Sequence, residues 1–307
     1  MGMMMALTYI IGQVSAPIGE FIGFAQSLQD ARISLERLNE IHAQDDEEKD
    51  IDQKLSVLPT DRSIHIRNLS FSYSGAARDY ALRNIDIDIP GQKVTAIVGE
   101  SGCGKTTLLK LIQGFYLPSE GCVKVGDVNL NLINPHLWRK STGSVMQESF
   151  IFSDTIANNI ALSTDDVDVA RMLHAAQMAN ISDFIASLPL GYNTRIGMEG
   201  NGISAGQRQR ILLARAIYKD PEFMFFDEAT NSLDATNERI IMNNLRKCYE
   251  GKTVIISAHR LSTIKDADQI IVLHQGKVVE QGTHEELLQA RGYYFKLVEN
   301  QMNTNTL

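Results

Sequence analysis

The hydrophobic and polar positions at the start of the chain form a long apolar pattern. Residues 1–19 include no charged side chain, and apolar residues then recur at spacings of three and four from Leu28 to Leu38. This pattern favours a helix that crosses a membrane and continues into water, with an amphipathic helix of a soluble protein as the alternative. We therefore predict the last transmembrane helix and cytosolic extension of a membrane domain over residues 1–44.

The pattern then changes from charged to strand-like. The acidic run at residues 45–50 has too little apolar content to pack, so residues 45–57 are predicted to be a linker. Apolar and polar residues alternate at 63–73 and 82–89. This alternation predicts half-buried antiparallel strands.

Continuous apolar runs are typical of parallel strands that are buried on both faces. Such runs lie at residues 94–98, 223–226, 253–257 and 269–273. Helical spacing without strands predominates from Asp154 to about Tyr192, and a long helix is predicted to begin near Ser204. The expected fold is α/β: a parallel core with an antiparallel β flank and a helical subdomain over residues 58–299, followed by a tail at 300–307.

Charge and cysteine usage narrow the class of protein. The formal net charge of -8 argues against a nucleic-acid-binding protein, which usually carries a basic face. Cys103, Cys122 and Cys248 lack C-x-x-C spacing, so the sequence indicates neither a disulfide framework nor a zinc site. These features fit a protein whose soluble part lies in the reducing cytosol.

The residues V-G-E-S-G-C-G-K-T-T at 98–107 lie between a strand pattern and a helical pattern. This is the setting of the phosphate-binding motif G-x-x-x-x-G-K-[ST]. Its glycines allow the backbone to curl so that N–H groups at the positive end of the following helix bind phosphate oxygens. Lys105 would reach the β- and γ-phosphates, and Thr106 would offer its hydroxyl to Mg²⁺. The sequence therefore predicts a P-loop NTPase core.

The apolar run at 223–226 ends in Asp227 and Glu228. Because the carboxyl ends of parallel strands meet at one edge of a sheet, we expect this pair beside the phosphate loop. Asp227 would hold Mg²⁺ through water, since this ion keeps part of its hydration shell. Glu228 would orient or deprotonate the attacking water.

These motifs together resemble those of the nucleotide-binding domain of ATP-binding cassette (ABC) transporters, over roughly residues 58–299. The matching segments are the phosphate loop, Gln147, Ile203–Gln207, Phe223–Glu228, Ser232–Asp234 and His259. In outline the chain resembles the exporter type, in which one chain fuses a membrane domain to its ATPase. The sequence of residues 202–210 is most similar to that of bacterial exporters of bacteriocins and other peptides, which carry an N-terminal peptidase domain.

The resemblance implies roles around the bound nucleotide. Tyr73 would stack on adenine, with a plain strand tyrosine as the alternative and Tyr80 as a second candidate. Gln147 would touch Mg²⁺ and the attacking water, while its loop contacts the membrane domain. His259 would hydrogen-bond the γ-phosphate and hold Glu228 and the water in place.

The resemblance also implies a dimer. Ser204 and Gly206, at the positive end of a helix, would address the γ-phosphate bound to the opposite subunit. Asp234 would lie on the loop that communicates between the two sites. Two copies, forming a homodimer or a heterodimer, would close head-to-tail around two ATP molecules. Ala205 stands where the family usually has glycine, but Gly206 is retained, so we expect function to survive.

The exporter type often has an acidic residue where this chain has Met198, and Glu199 could substitute for it. The candidate nucleotide-binding residues are Tyr73, Gly99, Ser101, Gly102, Cys103, Gly104, Lys105, Thr106, Thr107, Ser204, Gly206, Gln207 and Asp234. The candidate catalytic residues are Lys105, Gln147, Glu228 and His259, and the candidate Mg²⁺ residues are Thr106, Gln147 and Asp227.

The expected protein is a Mg²⁺- and ATP-dependent motor of an exporter at the cytoplasmic membrane, with its ATPase domain on the cytoplasmic side. It would be a C-terminal fragment of a longer protein or would work with separate membrane subunits. One alternative is a soluble ABC-type ATPase that acts on DNA or ribosomes. Another is a P-loop kinase, which would leave Gln147, Ser204 and His259 without a role.

Overall fold

A computed structural model of the chain describes residues 1–42, 51–75, 79–163, 167–197, 202–258 and 264–304. By its internal contacts the chain divides into two compact units, Met1–Asp52 and Gln53–Leu307.

The first unit is dominated by helix α1 (Gly2–His42), which contains Pro17. Its described side chains are all exposed. Residues Gly2–Glu40 form a candidate membrane span with a mean hydropathy of 1.2. By length and composition alone, this helix is able to cross a bilayer.

The second unit contains strands and helices in alternation. Its strands are β1 (Ile64–Phe71), β2 (Leu82–Ile89), β3 (Val94–Val98), β4 (Glu120–Val125), β5 (Val128–Asn129), β6 (Thr142–Val145), β7 (Asp154–Thr155), β8 (Arg195–Ile196), β9 (Phe223–Asp227), β10 (Thr253–Ser257), β11 (Gln269–His274) and β12 (Lys277–Gly282). Its described α-helices are α2 (Lys105–Ile112), α3 (Pro135–Ser141), α4 (Ile156–Ala161), α5 (Val169–Met178), α6 (Ser182–Ser187), α7 (Ala205–Lys219), α8 (Ala235–Cys248), α9 (His284–Ala290) and α10 (Tyr293–Thr304).

Three sheets organise these strands. A six-stranded sheet has the order β12-β11-β3-β10-β9-β6, and a four-stranded sheet has the order β2-β1-β4-β5. The five strands β11, β3, β10, β9 and β6 pair in parallel, and only β12 joins the larger sheet antiparallel. The four-stranded sheet is antiparallel throughout. The predicted α/β fold with a parallel core and an antiparallel flank is confirmed.

The parallel strands are buried on both faces because their alternate side chains enter different hydrophobic cores. In β9, Met224 and Phe226 pack in the core that includes helices α4–α8. Phe223 and Phe225 pack in the core that includes α2 and the antiparallel sheet. Side chains of a strand alternate between faces, so two cores require a continuous apolar run. This explains why continuous apolar runs in the sequence predicted the parallel strands.

Capping side chains begin several helices, and the helix predicted to begin near Ser204 is confirmed as α7. Asn134 caps α3 by accepting a hydrogen bond from the His136 N–H, with Pro135 at the first helical position. Ser204 and Thr283 begin α7 and α9, each with a complete capping box.

One segment differs from the prediction. Only helices were expected from Asp154 to Tyr192, but Asp154 and Thr155 form the short strand β7, which pairs with β8. Thr155 is also the N-cap of α4, since its side chain accepts a hydrogen bond from the Asn158 N–H. A two-residue strand pairs through its backbone, so no side-chain periodicity reveals it.

Candidate functional site

The phosphate loop lies between β3 and α2 and follows a tightly constrained path. Gly99 has φ 155°, and a Cβ there would lie 2.2 Å from the Leu273 carbonyl oxygen. Gly104, which precedes α2, has φ 107°. Only glycine combines such backbone angles with so close an approach to neighbouring backbone. The loop is therefore shaped by glycine at both ends.

Lys105 folds back over this loop. Its Nζ donates to the carbonyl oxygens of Gly99 and Glu100, each at 3.0 Å, and lies 3.9 Å from the Cys103 sulfur. Lys105 is only 5% exposed. The ammonium group is thus held inside the curl of the loop, where a phosphate oxygen would replace a carbonyl oxygen as acceptor.

Thr106 and Asp227 meet although 121 residues separate them in the chain. The Thr106 hydroxyl donates to Asp227 Oδ2 at 2.6 Å. Asp227 is 1% exposed, and its Oδ1 is buried without a hydrogen-bond partner. A buried carboxylate oxygen without a partner is costly unless a cation or donor satisfies it.

This arrangement fits Mg²⁺. Carboxylate and hydroxyl oxygens are hard ligands of the kind that Mg²⁺ binds, and the ion also takes substrate phosphates and water. Within the described residues there is no group of three or more His, Cys, Asp and Glu that could hold a metal by itself. The residues present suit an ion that the nucleotide helps to bind, rather than a cage made only of side chains.

Glu228 follows β9 in a left-handed conformation with φ 54°. Its N–H donates to the Ser257 carbonyl at 3.0 Å, and its Oε2 accepts from Asn231 Nδ2 at 2.6 Å. Positive φ is uncommon for a residue other than glycine, so these contacts hold a conformation that the residue rarely adopts alone. Asn231 is a candidate site residue that sequence reasoning missed, and only its position three residues after Glu228 could have indicated it.

Gln147 lies at the same edge of the sheet. Strands β6 and β9 are parallel, with Val145 opposite Phe226, so Gln147 comes beyond the end of β6 as Glu228 comes beyond β9. Gln147 is exposed. His259, Met198 and Glu199, which the sequence also singled out, lie outside the described residues.

Tyr73 lies against the helix that follows the phosphate loop. Its hydroxyl shares a 3.1 Å hydrogen bond with the Thr107 hydroxyl, and its ring is 57% exposed. The ring packs edge-on against Phe71 and Tyr116. Tyr80 instead donates to Glu120 at 3.3 Å. Tyr73 thus lies beside the helix that follows the phosphate loop, whereas Tyr80 bonds to Glu120.

Ser204 is exposed at the head of α7. Its hydroxyl accepts from the Gln207 N–H at 3.2 Å, while Gln207 Oε1 accepts from the Ser204 N–H at 2.8 Å. A Cβ at Gly206 would lie 3.2 Å from the Ser232 carbonyl oxygen, whereas Ala205 is exposed. The tight position is Gly206, so the alanine at 205 is accommodated.

Asp234 is the exposed N-cap of α8. Its Oδ1 accepts from the backbone N–H groups of Asn237 and Thr236, and Oδ2 accepts from the Asn237 side chain at 2.6 Å. Hydrogen bonds from Asn237 and then Thr236 lower the pKa of Asp234 below its ordinary value. The exposed helix starts of α7 and α8 thus carry Ser204 and Asp234, while the Thr106–Asp227 contact brings the end of β9, which Glu228 follows, next to the phosphate loop.

We expect Cys103 to react slowly with iodoacetamide in the folded protein. It is 5% exposed, and burial raises the pKa of its thiol although Lys105 partly opposes the shift. Thiolate is the reactive form, so both effects slow alkylation. Mass spectrometry of tryptic peptides should show Cys122, which is less buried, labelled first. Equal rates in the folded protein, as expected only in denaturant, would contradict this.

The fold and the loop together define a P-loop nucleotide-binding protein. Residues 82–231 match the ABC transporter family model. This match identifies the domain as the ATP-binding domain of an ABC transporter.

Relatives of this chain support that assignment. "Leukotoxin translocation ATP-binding protein LktB" of Mannheimia glucosida is 42% identical over 303 residues, which are 98% of this chain and 42% of that protein. The protein of the same name from Bibersteinia trehalosi gives the same identity and coverage. A bacterial Atm1-family ABC exporter solved with ATP bound superposes with a TM-score of 0.77 at 36% identity, over 81% of this chain and 44% of that one. The chain thus spans 42% of the length of the curated relatives it matches.

Proposed function

We propose that this chain is the ATP-hydrolysing motor of an ABC exporter. The observation that carries the proposal is the Thr106–Asp227 contact beside Lys105, with the buried Asp227 Oδ1 left to bind a cation. A P-loop kinase would leave the exposed Ser204 at the start of α7 without a role. The apolar helix α1 favours a membrane transporter over a soluble ABC-type ATPase.

Mg²⁺ would be held by Thr106 and Asp227, with Gln147 as a further ligand. When bound, it would neutralise charge on the β- and γ-phosphates. Lys105 would exchange its loop carbonyl acceptors for phosphate oxygens, and the loop N–H groups would hold the remaining ones. Tyr73 would stack on the adenine ring.

Glu228 would orient the attacking water and accept its proton. Asn231 and the Ser257 carbonyl fix the position of Glu228, so the carboxylate need not be reorganised during reaction. His259 would hydrogen-bond the γ-phosphate. Catalysis would then consist mainly of positioning and electrostatic stabilisation, as phosphoryl transfer requires.

A second subunit would complete each site. Ser204 is exposed and its hydroxyl lies at the positive end of α7, with the Gly206 N–H nearby, so the pair suits a γ-phosphate that another copy presents. Asp234 would lie near this contact, on the neighbouring helix start. The dimer would be head-to-tail, with identical or related subunits, and the ATPase domains would lie on the cytoplasmic side of the cell membrane.

The cargo is proposed from the relatives, whose names state that they translocate leukotoxin. A polypeptide is therefore the proposed class of substrate. A peptide exporter with an N-terminal peptidase domain is a narrower prediction. The contacts that select the cargo would belong to a membrane domain of which α1 would be the last helix.

We expect Asp227→Asn to lower Mg²⁺-dependent ATP turnover by about 100-fold or more, because an amide cannot supply the anionic oxygen that the cation needs. The variant should unfold at the same temperature as the wild type or a higher one, since it removes a buried charge whose Oδ1 lacks a partner. Phosphate release and thermal denaturation measure the two effects.

Asp220→Asn is the matched control. Asp220 is exposed, ends α7 and pairs with Lys252. Asparagine tolerates its left-handed backbone, so turnover should stay at the wild-type level. Full turnover in Asp227→Asn, or a loss as large in Asp220→Asn, would refute the proposed role of Asp227.

A further inference from the structure

Arg215 connects two parts of the site that are distant in the sequence. It lies about three turns along α7 from Ser204. Its Nε donates to the Asn159 carbonyl at 2.8 Å, Nη1 donates to the Phe150 carbonyl at 2.8 Å, and Nη2 donates to Asn159 Oδ1 at 3.1 Å. The guanidinium also stacks on the Phe152 ring, 5.3 Å from its centroid. A single side chain of α7 thus holds the segment that follows Gln147.

Asn159 holds the same segment from the other side. It is 0% exposed, and its Oδ1 accepts from the Phe152 N–H at 2.8 Å. Its Nδ2 donates to the carbonyl oxygens of Phe152 at 3.0 Å and Thr155 at 2.9 Å. Both backbone polar groups of Phe152 are therefore bonded to one buried amide, which Arg215 in turn fixes.

The partners of Arg215 described above are carbonyl and amide oxygens rather than carboxylates. Burial lowers the pKa of Arg215 to about 10. A planar guanidinium can donate to several oxygens at once in a fixed geometry, whereas a lysine ammonium cannot reproduce that fork. The contact therefore depends on shape as well as on charge.

The segment held by Arg215 faces outward. The rings of Phe150 and Phe152 are 58% and 48% exposed and pack edge-on at 5.5 Å. Exposed rings contribute little to anchoring the segment. Ile151, between them, is buried in the core that includes α7, so Ile151 anchors the segment together with the backbone hydrogen bonds to Arg215 of α7 and Asn159 of α4.

We propose that Arg215 is a positioning residue that ties residues 147–152 to α7, so that Gln147 and Ser204 move as one rigid unit. The inference rests on the proposed function, in which Gln147 serves the site of its own subunit and Ser204 serves the site of the partner. A displacement of the exposed Phe150–Phe152 surface would then reach Ser204 through a stiff helix. Without the tie, the position of Gln147 relative to Ser204 would be fixed less firmly.

The test is Arg215→Lys, which keeps the charge but removes the fork. We expect kcat for ATP to fall about 3- to 30-fold, a range typical of residues that couple sites, while KM changes less than about 2-fold. Hydrogen exchange at residues 147–152 should rise, while strands β9 and β10 keep their protection. The thermal unfolding midpoint should stay close to that of the wild type.

Arg171→Lys is the matched control. Arg171, on helix α5, also stacks its guanidinium on an aromatic ring, that of Tyr218, 5.2 Å from its centroid. It should leave kcat, KM and exchange at 147–152 unchanged. The inference would be overturned if Arg215→Lys kept the wild-type kcat and the wild-type exchange at 147–152. It would also be overturned if kcat fell together with the unfolding midpoint, because general destabilisation would then explain the loss. An absence of ATP turnover in the wild type would instead contradict the proposed function, and the exchange at 147–152 would still test the tie.

Discussion

Glu228→Gln is expected to lower ATP turnover by about 100- to 10,000-fold, the range associated with loss of a general base. Glutamine has nearly the same shape, and its amide oxygen can still accept the hydrogen bond from Asn231. The backbone bond to Ser257 is unaffected, so the left-handed conformation at 228 should persist. What is lost is the ability to take a proton from water. Nucleotide binding should therefore survive while hydrolysis stops.

Phosphate release under saturating Mg²⁺ and ATP measures the turnover, and equilibrium dialysis with labelled ATP measures the binding. Glu222→Gln is a matched control, because Glu222 immediately precedes the opposite end of β9 and its carboxylate pairs with Arg62. That variant should hydrolyse ATP at the wild-type rate. Continued turnover in Glu228→Gln would show that another group acts as the base.

Ser204→Arg is expected to prevent the ATP-dependent dimer and to lower turnover by about 100-fold, the scale of losing one stabilising donor. The bulky side chain would project from the exposed head of α7 into the space assigned to the partner's γ-phosphate. Because Ser204 belongs to the opposite subunit's site, each monomer should still bind ATP through its own phosphate loop. Light scattering in the Glu228→Gln background measures the dimer, and dialysis measures the monomer's affinity.

A loss of the N-cap also destabilises α7 by about 1 kcal/mol, so that effect must be separated from the proposed one. Thr283→Arg provides the separation, since Thr283 heads α9 with the same kind of capping box. It should cost similar stability without altering the dimer. If Ser204→Arg still dimerises and turns over ATP, or if Thr283→Arg abolishes dimerisation equally, the composite site is wrong.

Several features of this protein could be predicted because they are local. The apolar runs identify β3 and β9, since a strand buried in two cores must be apolar at successive positions. The helix start near Ser204 could be identified, because a cap and the N–H group that it satisfies lie within one turn. The phosphate loop combines both kinds of signal. The family resemblance rests on the same local motifs.

Other features could not be predicted, because they depend on which distant segments meet. The hydrogen bond between the Tyr73 and Thr107 hydroxyls joins side chains that are 34 residues apart in the chain. The orientation of Glu228 depends on Ser257, which belongs to a neighbouring strand. Asn231 lies close in sequence to Glu228, but a lone asparagine after a strand has many ordinary roles. No periodicity encodes such pairings.

The sequence by itself therefore determined the longer strands, the start of α7 and the phosphate loop, since these follow from short-range spacing, sterics and hydrogen bonding. Only the tertiary structure decided that the Thr106 hydroxyl donates to Asp227 Oδ2 while Asp227 Oδ1 has no hydrogen-bond partner among the described residues. It alone also decided that Arg215 donates to the backbone of the segment after Gln147. The physical reason is that these contacts depend on the order of strands in the sheet and on the packing of α7 against α4. Hydrophobic burial fixes both across the whole domain, and no single stretch of residues records the result.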